Sequence, residues 1–325
     1  MTSPSSWQPS SSIETLRQRA QITSKIRQFF AQREVWEVET PALSHHGVTD
    51  VHLSAFKTDF LHPQAVEYCP LFLQTSPEFA MKRLLVAGSG SIFQLSKAFR
   101  NEEAGSYHNP EFSMLEWYRT DFDHWQLIDE VDALLQYTLA TEPLSVLTYQ
   151  NAFIQYCGFD PLEATIETVC KRACELGFEL IANDEQDIDV LLQLLCCECI
   201  EPNIGREAPV ALVGFPASQA ALARLEPSDP RIARRFEVYF RGIELANGYH
   251  ELSDSAELKQ RFERDNQTRL SKGKQVMAID PCFIEAMEAG MPECAGVALG
   301  IDRLMMLALN KSSITDVVSF AIDRA

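Results

Sequence analysis

The segment FRNEEAGSYHNPEFSMLEWYRTDF, residues 99–122, sets arginine, histidine, asparagine and glutamate among aromatic rings. Alternation along two strands places Arg100 and Glu102 on one face of the first, and Phe112, Glu116 and Tyr118 on one face of the second. Such a surface offers a cation, an aromatic plate and carboxylates together. Arginine suits bidentate contact with phosphate or carboxylate, and an aromatic ring can stack on a base. An ordinary ion-paired sheet face has the same composition, so the segment alone leaves both readings open.

A second group is Glu237, Glu244 and Glu251 in RRFEVYFRGIELANGYHELSD. A two-residue turn at Arg241-Gly242 sets Tyr239 opposite Glu244, with Glu237 a diagonal neighbour on the same face. Carboxylates so placed repel unless a cation lies between them, and Mg²⁺ characteristically takes one or two carboxylates plus substrate phosphates. Glu251, an odd number of residues beyond Glu244, faces the other way in a straight strand; a bulge at Asn247-Gly248 would turn it back. The alternative is a solvated acidic edge strand. In GVALGIDR, Gly296 and Gly300 permit close approach of a ligand, Asp302 falls near a helix cap, and Arg303 stands where the helix begins, an arrangement suited to phosphate. AGSGS at Ala87–Ser91 is a weaker glycine loop, a plain turn.

Several elements must position these groups. SSIE, Ser11 to Glu14, is a capping box, and Ile13, Leu16, Ala20, Ile26, Phe29 and Phe30 follow at helical spacing, which predicts a first helix over 13–33. VWEVETP alternates as a strand that Pro41 ends. IFQLSKAFR and EFSMLEWYR form a long antiparallel hairpin around a Gly/His/Asn/Pro loop, and residues 125–140 are helical. Residues 142–200 form a cysteine-rich helical insert, and GVALGIDRLMMLALN is a strand running into a helix. Residues 1–12 are a flexible Ser/Pro-rich tail, and 13–325 one α+β domain with a mostly antiparallel sheet flanked by helices.

With 325 residues, 46% of them hydrophobic, the chain can bury a large core. No stretch has the form of an export signal or a membrane span, so a cytoplasmic protein with no membrane partner is expected. The nine cysteines are expected to be reduced. CCEC and CKRAC sit in apolar helical patterns, where cysteine packs as a small hydrophobe, and His45-His46 gives loop polarity. A net charge of −18 argues against a broad nucleic-acid footprint.

Hairpin arginine, paired glutamates and a Gly-rich strand with arginine occur in the order of the three motifs of class II aminoacyl-tRNA synthetases, which the chain resembles over nearly its whole length. Pro41 looks like motif 1, FRNEEAGSYHNPEF motif 2 and GVALGIDRLMML motif 3. TSPEFAMKRLL, FRNE, HNPEF and ELANGYHEL are most similar to lysyl-tRNA synthetases. The resemblance implies that Arg100 bridges an amino-acid carboxylate and the α-phosphate of ATP, and that Phe112 stacks on adenine. Asn101, Glu102, His108, Asn109, Glu244, Leu245 and Gly300 complete the ATP site, with Arg303 at the γ-phosphate. Arg100 and Arg303 are the implied catalytic residues, and Glu237 and Glu244 the implied Mg²⁺ ligands. Ser76, Pro77 and Glu78 take the amino group near the carboxylate, and Glu116, Tyr118, Asn247, Glu251 and Ala298 complete the substrate site, Glu251 and Tyr118 holding a distal ammonium. Motif 1 further implies a homodimer.

Three departures matter. Motif 1 begins too near the start to leave room for an anticodon-binding domain. Ser76 stands where lysyl-tRNA synthetases usually have alanine, and Ala298 where they have glycine. Tyr107 replaces the usual arginine of the motif 2 loop. The shortened pattern is similar to the family of elongation factor P lysine ligases, which implies adenylation of lysine or (R)-β-lysine and its transfer to a lysine of that translation factor, with no tRNA bound. A lysine ligase acting on tRNA or a small amine, and a non-catalytic lysine sensor, remain the alternatives.

Overall fold

The computed structural model describes residues 7–61 and 69–325. From the N-terminus it forms α1 (Ile13–Ala31), β1 (Trp36–Glu37), β2 (Leu43–Ser44), β3 (Lys57–Phe60), β4 (Cys69–Leu73), α2 (Glu78–Val86), β5 (Ile92–Phe99), β6 (Glu111–Thr120) and α3 (His124–Leu139). There follow β7 (Ser145–Thr148), α4 (Tyr149–Tyr156), α5 (Ile166–Glu175), α6 (Glu179–Ala182), α7 (Ile188–Leu195), β8 (Val210–Val213), β9 (Leu225–Glu226), β10 (Asp229–Ala233), β11 (Arg235–Phe240) and β12 (Ile243–His250). The last elements are α8 (Ser255–Ser271), α9 (Pro281–Gly290), β13 (Cys294–Gly300) and α10 (Ile301–Ala308). Two compact units result: the described residues of Met1–Asp121 with Tyr137–Leu139 and Ser253–Ala325, and Phe122–Gln136 with Ala140–Leu252.

In the first unit the strands run β1-β5-β6-β13, antiparallel except for β1 beside β5. One face is covered by α1, whose Ile22, Ile26, Phe29 and Phe30 are buried. Phe30 stacks on Phe93 at 4.5 Å and meets Trp117 edge-on at 5.3 Å. The helix cap is Ser12, accepting from the Thr15 N–H, and not Ser11 as expected; the helix stops at Ala31, two residues early. The strand expected over VWEVETP shrinks to Trp36–Glu37 plus one further ladder bond, Val38 N–H to Phe93 O at 2.9 Å. Pro41, lacking an N–H, cannot extend it.

On α10, Asp302 is no cap. Its carboxylate accepts from the Ser113 N–H at 2.8 Å and pairs with Arg19 at 2.6 Å, joining α1, β6 and α10. Helix α2 packs through Phe79, which stacks on Phe283 of α9 at 4.1 Å and lies 5.8 Å from Phe262 of α8. Of the tail expected over 1–12, residues 1–6 lie outside the described residues. Gln8 and Ser10 are tied rather than loose, bonding Arg324 and Ser319.

In the second unit the strands run β12-β11-β8-β7, with β7 parallel to β8 and the rest antiparallel. The segment over 142–200 opens with β7 before its helices, which close a core around Tyr149, Phe153, Val169, Leu191, Leu195 and Cys196. CCEC forms a π-helical turn. Burial pushes the thiols of Cys157 and Cys197 up to about 12, so they pack as neutral groups. The turn from β11 to β12 is the expected two-residue one, Arg241 and Gly242 both taking positive φ (52° and 73°). Among the described residues no helix is long and apolar enough to cross a membrane.

Candidate active site

In the first unit, Arg100 and Glu102 lie beyond the end of β5 and so do not share a strand face as expected. The Arg100 N–H carries the ladder one step further, to Pro110 O at 2.9 Å, and the chain then swings out to meet Ser54. Asn101 N–H bonds Ser54 O at 2.8 Å, and Glu102, at φ 71°, accepts from the Ser54 hydroxyl at 3.1 Å. The Arg100 guanidinium stands 5.1 Å from the centre of the Phe112 ring, its Nε directed at Thr75 O. Cation and aromatic plate thus adjoin, through loop geometry instead of strand parity. The Arg303 guanidinium lies 2.7 Å from His108 Nε2. Gly300 caps α10, and a Cβ there would touch the Arg303 side chain at 3.5 Å. Asn109 spends both ends of its amide within the protein, on Glu111 O and the Ile322 N–H, and so shapes the loop.

Phe112, Glu116 and Tyr118 do share a face of β6, and Gln94, Glu116 and Ala298 form one cross-strand row. Glu116 is buried, with one carboxylate oxygen accepting from Ser76 Oγ and the other from the Tyr118 hydroxyl, both at 2.6 Å. Burial, followed by the neighbouring charge of Glu78, pushes its carboxyl up to about 7. Ser76 Oγ also accepts the Glu78 N–H at 3.1 Å, which fixes Pro77 and the start of α2. Lys82, one turn later and only 1% exposed, reaches Glu78 Oε1 at 2.5 Å.

In the second unit, Tyr239 pairs with Glu244 as expected, but the bulge falls at Leu245, opposite Val238, and not at Asn247-Gly248. Beyond Leu245, Asn247 pairs with Glu237 and Tyr249 with Arg235, so Glu244, Asn247 and Tyr249 come to one face, and alternation past Tyr249 brings the bridged Glu251 to it despite the odd spacing. Glu237 accepts from Arg235 Nη2 and from the Tyr239 hydroxyl, each at 2.5 Å. Burial raises its proton affinity and Glu244 adds to this, while Arg235 opposes both. Asn247 Oδ1 is buried and, among the described residues, meets no hydrogen-bond donor. Glu251 is 2% exposed, and its backbone oxygen accepts from Arg224 at 2.9 Å. Among the described residues no group of three or more His, Cys, Asp or Glu is placed to hold a metal, so a cation at Glu237 and Glu244 would draw its other ligands from a substrate.

Two participants escaped sequence reasoning. Lys82 could have been found from its i,i+4 spacing to Glu78 among apolar neighbours. Arg235, held by Gln219 O and 4.5 Å from the centre of the Phe215 ring, carried no local signal.

Residues 7–324 match the family model for class II tRNA synthetases (D, K and N). The chain is 56% identical over 321 residues to the elongation factor P–(R)-β-lysine ligase of Vibrio atlanticus, covering 99% of each. It is 54% identical to the proteins of that name from Haemophilus influenzae strain PittGG, over 325 residues, and Erwinia tasmaniensis, over 324, covering 100% of each chain. With ordered motifs in place and the match running from end to end, the chain belongs to the class II tRNA synthetase family of D, K and N type, and within it to the group of these relatives.

Proposed function

We propose that the chain is a cytoplasmic ATP-dependent ligase that activates (R)-β-lysine, or lysine, and transfers it to a lysine ε-amine of elongation factor P. The observation that carries this reading is the full-length likeness to proteins named for that reaction. The buried Glu116, with a hydroxyl on each oxygen, supports it as a receptor for an ammonium group.

In the first step a carboxylate oxygen of the amino acid attacks the α-phosphorus of ATP, the bond to the β-phosphate oxygen breaks, and pyrophosphate leaves. Arg100 orients that carboxylate and the α-phosphate, Phe112 stacks on adenine, and Arg303, steadied by His108, holds the γ-phosphate end. Asn101 and Glu102 contact the nucleotide, Asn109 holds their loop, and Gly300 sets the approach to Arg303. In the second step the acceptor amine attacks the activated carbonyl carbon, the bond to the phosphate oxygen breaks, AMP leaves, and the amine's proton is lost to solvent. No covalent enzyme intermediate is needed, so alignment and electrostatics supply the rate, with good alignment contributing roughly 7–11 kcal/mol.

Glu237 and Glu244 offer hard carboxylate oxygens on one face whose mutual repulsion a cation would relieve, a donor set that fits Mg²⁺. Bound there, Mg²⁺ would neutralise phosphate charge and favour the charge that develops at the α-phosphorus. Arg235 and Tyr239 hold Glu237 in place, and Leu245 sets the phase of the strand beside it. Ser76, Glu78 and Glu116 take the amino group nearer the carboxylate, with Pro77 fixing the start of α2, while Tyr118, Asn247 and Glu251 serve the distal ammonium and Ala298 bounds the row beside Glu116. The protein acts as a homodimer, a reading supported by the exposed edge strand β1 with Trp36 at 71% exposure. The test is intact-mass analysis of elongation factor P after incubation with the protein, ATP and each lysine isomer. A gain of one lysyl mass is expected, and label appearing on tRNA instead would sink the reading.

A further inference from the structure

Lys82 is the one residue of the Ser76–Glu78–Glu116 cluster for which the proposed reaction has no task, yet its side chain is 1% exposed. An ammonium so buried is costly unless paired, and the structure pairs it with Glu78, one helical turn away, at 2.5 Å. On the same helix Phe79 stacks on Phe283 of α9 and lies near Phe262 of α8. The leading charges acting on Glu116 are those of Glu78 and Lys82, with opposite signs. Two carboxylates and one ammonium leave a net deficit of one positive charge, the charge an incoming amino group brings. Without Lys82 the deficit is two, and the buried Glu116 would hold a proton more tightly and cease to be a receptor.

We propose that Lys82 is a positioning residue of the amino-acid site: its ammonium, fixed on Glu78, offsets the negative charge beside Glu116 and aims Glu78 at the substrate amino group. This rests on the function proposed above. It separates two roles on one helix turn, Glu78 touching substrate and Lys82 acting only through Glu78 and Glu116.

The test compares wild type, Lys82→Met and Lys82→Arg in pyrophosphate exchange with (R)-β-lysine between pH 7.5 and 9, folding being checked by thermal melts. Lys82→Met should raise the KM for (R)-β-lysine at least tenfold at pH 7.5, leave the KM for ATP within twofold, and recover at pH 9, where Glu116 ionises without help. Lys82→Arg keeps the charge but displaces Glu78, so the amino-acid KM should rise two- to fivefold with the wild-type pH profile. The proposal is overturned if folded Lys82→Met keeps an amino-acid KM close to wild type, or if its loss is the same at both pH values. Should Lys82→Met not fold, Lys82→Arg decides, and any pattern other than the one stated overturns the proposal. If the wild type catalyses no exchange with either lysine isomer, the proposed function fails first, and the role of Lys82 falls with it.

Discussion

Glu116 carries opposite pH dependences for folding and for binding. Its carboxyl titrates near 7 in the folded chain against 4.5 in the unfolded one, so the folded state holds an extra proton between those values. Its contribution to stability is therefore full below about 4.5 and is lost as pH rises through about 7. Binding an ammonium needs the carboxylate, so affinity for the amino acid should fall by up to about tenfold per pH unit below 7. Calorimetry from pH 6 to 8.5 checks this: Glu116→Gln should bind weakly at every pH and melt above wild type at pH 8. Ser76 and Ala298, marked in the sequence only as departures from a familiar pattern, both adjoin Glu116, one through a hydrogen bond and one through cross-strand register. Ser76→Ala and Ala298→Gly together should move the kcat/KM ratio of α-lysine to (R)-β-lysine toward α-lysine by more than threefold, because a methyl's worth of shape is typically worth about 1–3 kcal/mol. A ratio that stays put would place selectivity elsewhere. Residue types thus gave away the chemistry at these positions, and the Lys82–Glu78 pair was marked by its i,i+4 spacing, whereas its burial came only from the packing of α2.

Among the elements, side-chain alternation holds wherever a strand is regular and is lost where it is not. Phe112, Glu116 and Tyr118 share a face because β6 runs unbroken through them. Arg100 and Glu102 do not, because β5 has already ended, and nothing in their own residues announces the contact with Ser54. For Glu251 the need for a bulge was legible, but its place at Leu245 carries no mark in the residue types. Gly205 shows the same dependence on neighbours: at φ 63° its added Cβ would lie 2.5 Å from Tyr239 O, on the strand that carries Glu237. Gly205→Ala should destabilise the protein by roughly 1–3 kcal/mol or more, since neither the backbone oxygen nor the left-handed conformation yields readily. Chemical denaturation measures the loss, and a change under about 0.5 kcal/mol would mean that β11 moves more freely than its hydrogen bonds suggest.

For the whole molecule, a net charge of −18 means that association with any partner meets a repulsive background unless local groups offset it. The proposed homodimer would therefore rest on apolar contact along β1. Trp36→Asp should shift sedimentation from dimer to monomer at micromolar concentration, and an unchanged dimer would remove β1 from the interface. The Asp302 link carries a consequence in time. Arg19 is made 283 residues before its partner Asp302 (302 − 19), which at about 5–20 residues per second is roughly 15–60 s of synthesis. The α1 face can settle on the β5–β6 hairpin long before that, but β13 and the Asp302 carboxylate arrive last. A ribosome-held chain thus carries β6 for most of its synthesis before Asp302 can tie it to α1, and competence for adenylation should appear abruptly, only after the final fifth of the message has been read and the C-terminal segment has cleared the exit tunnel.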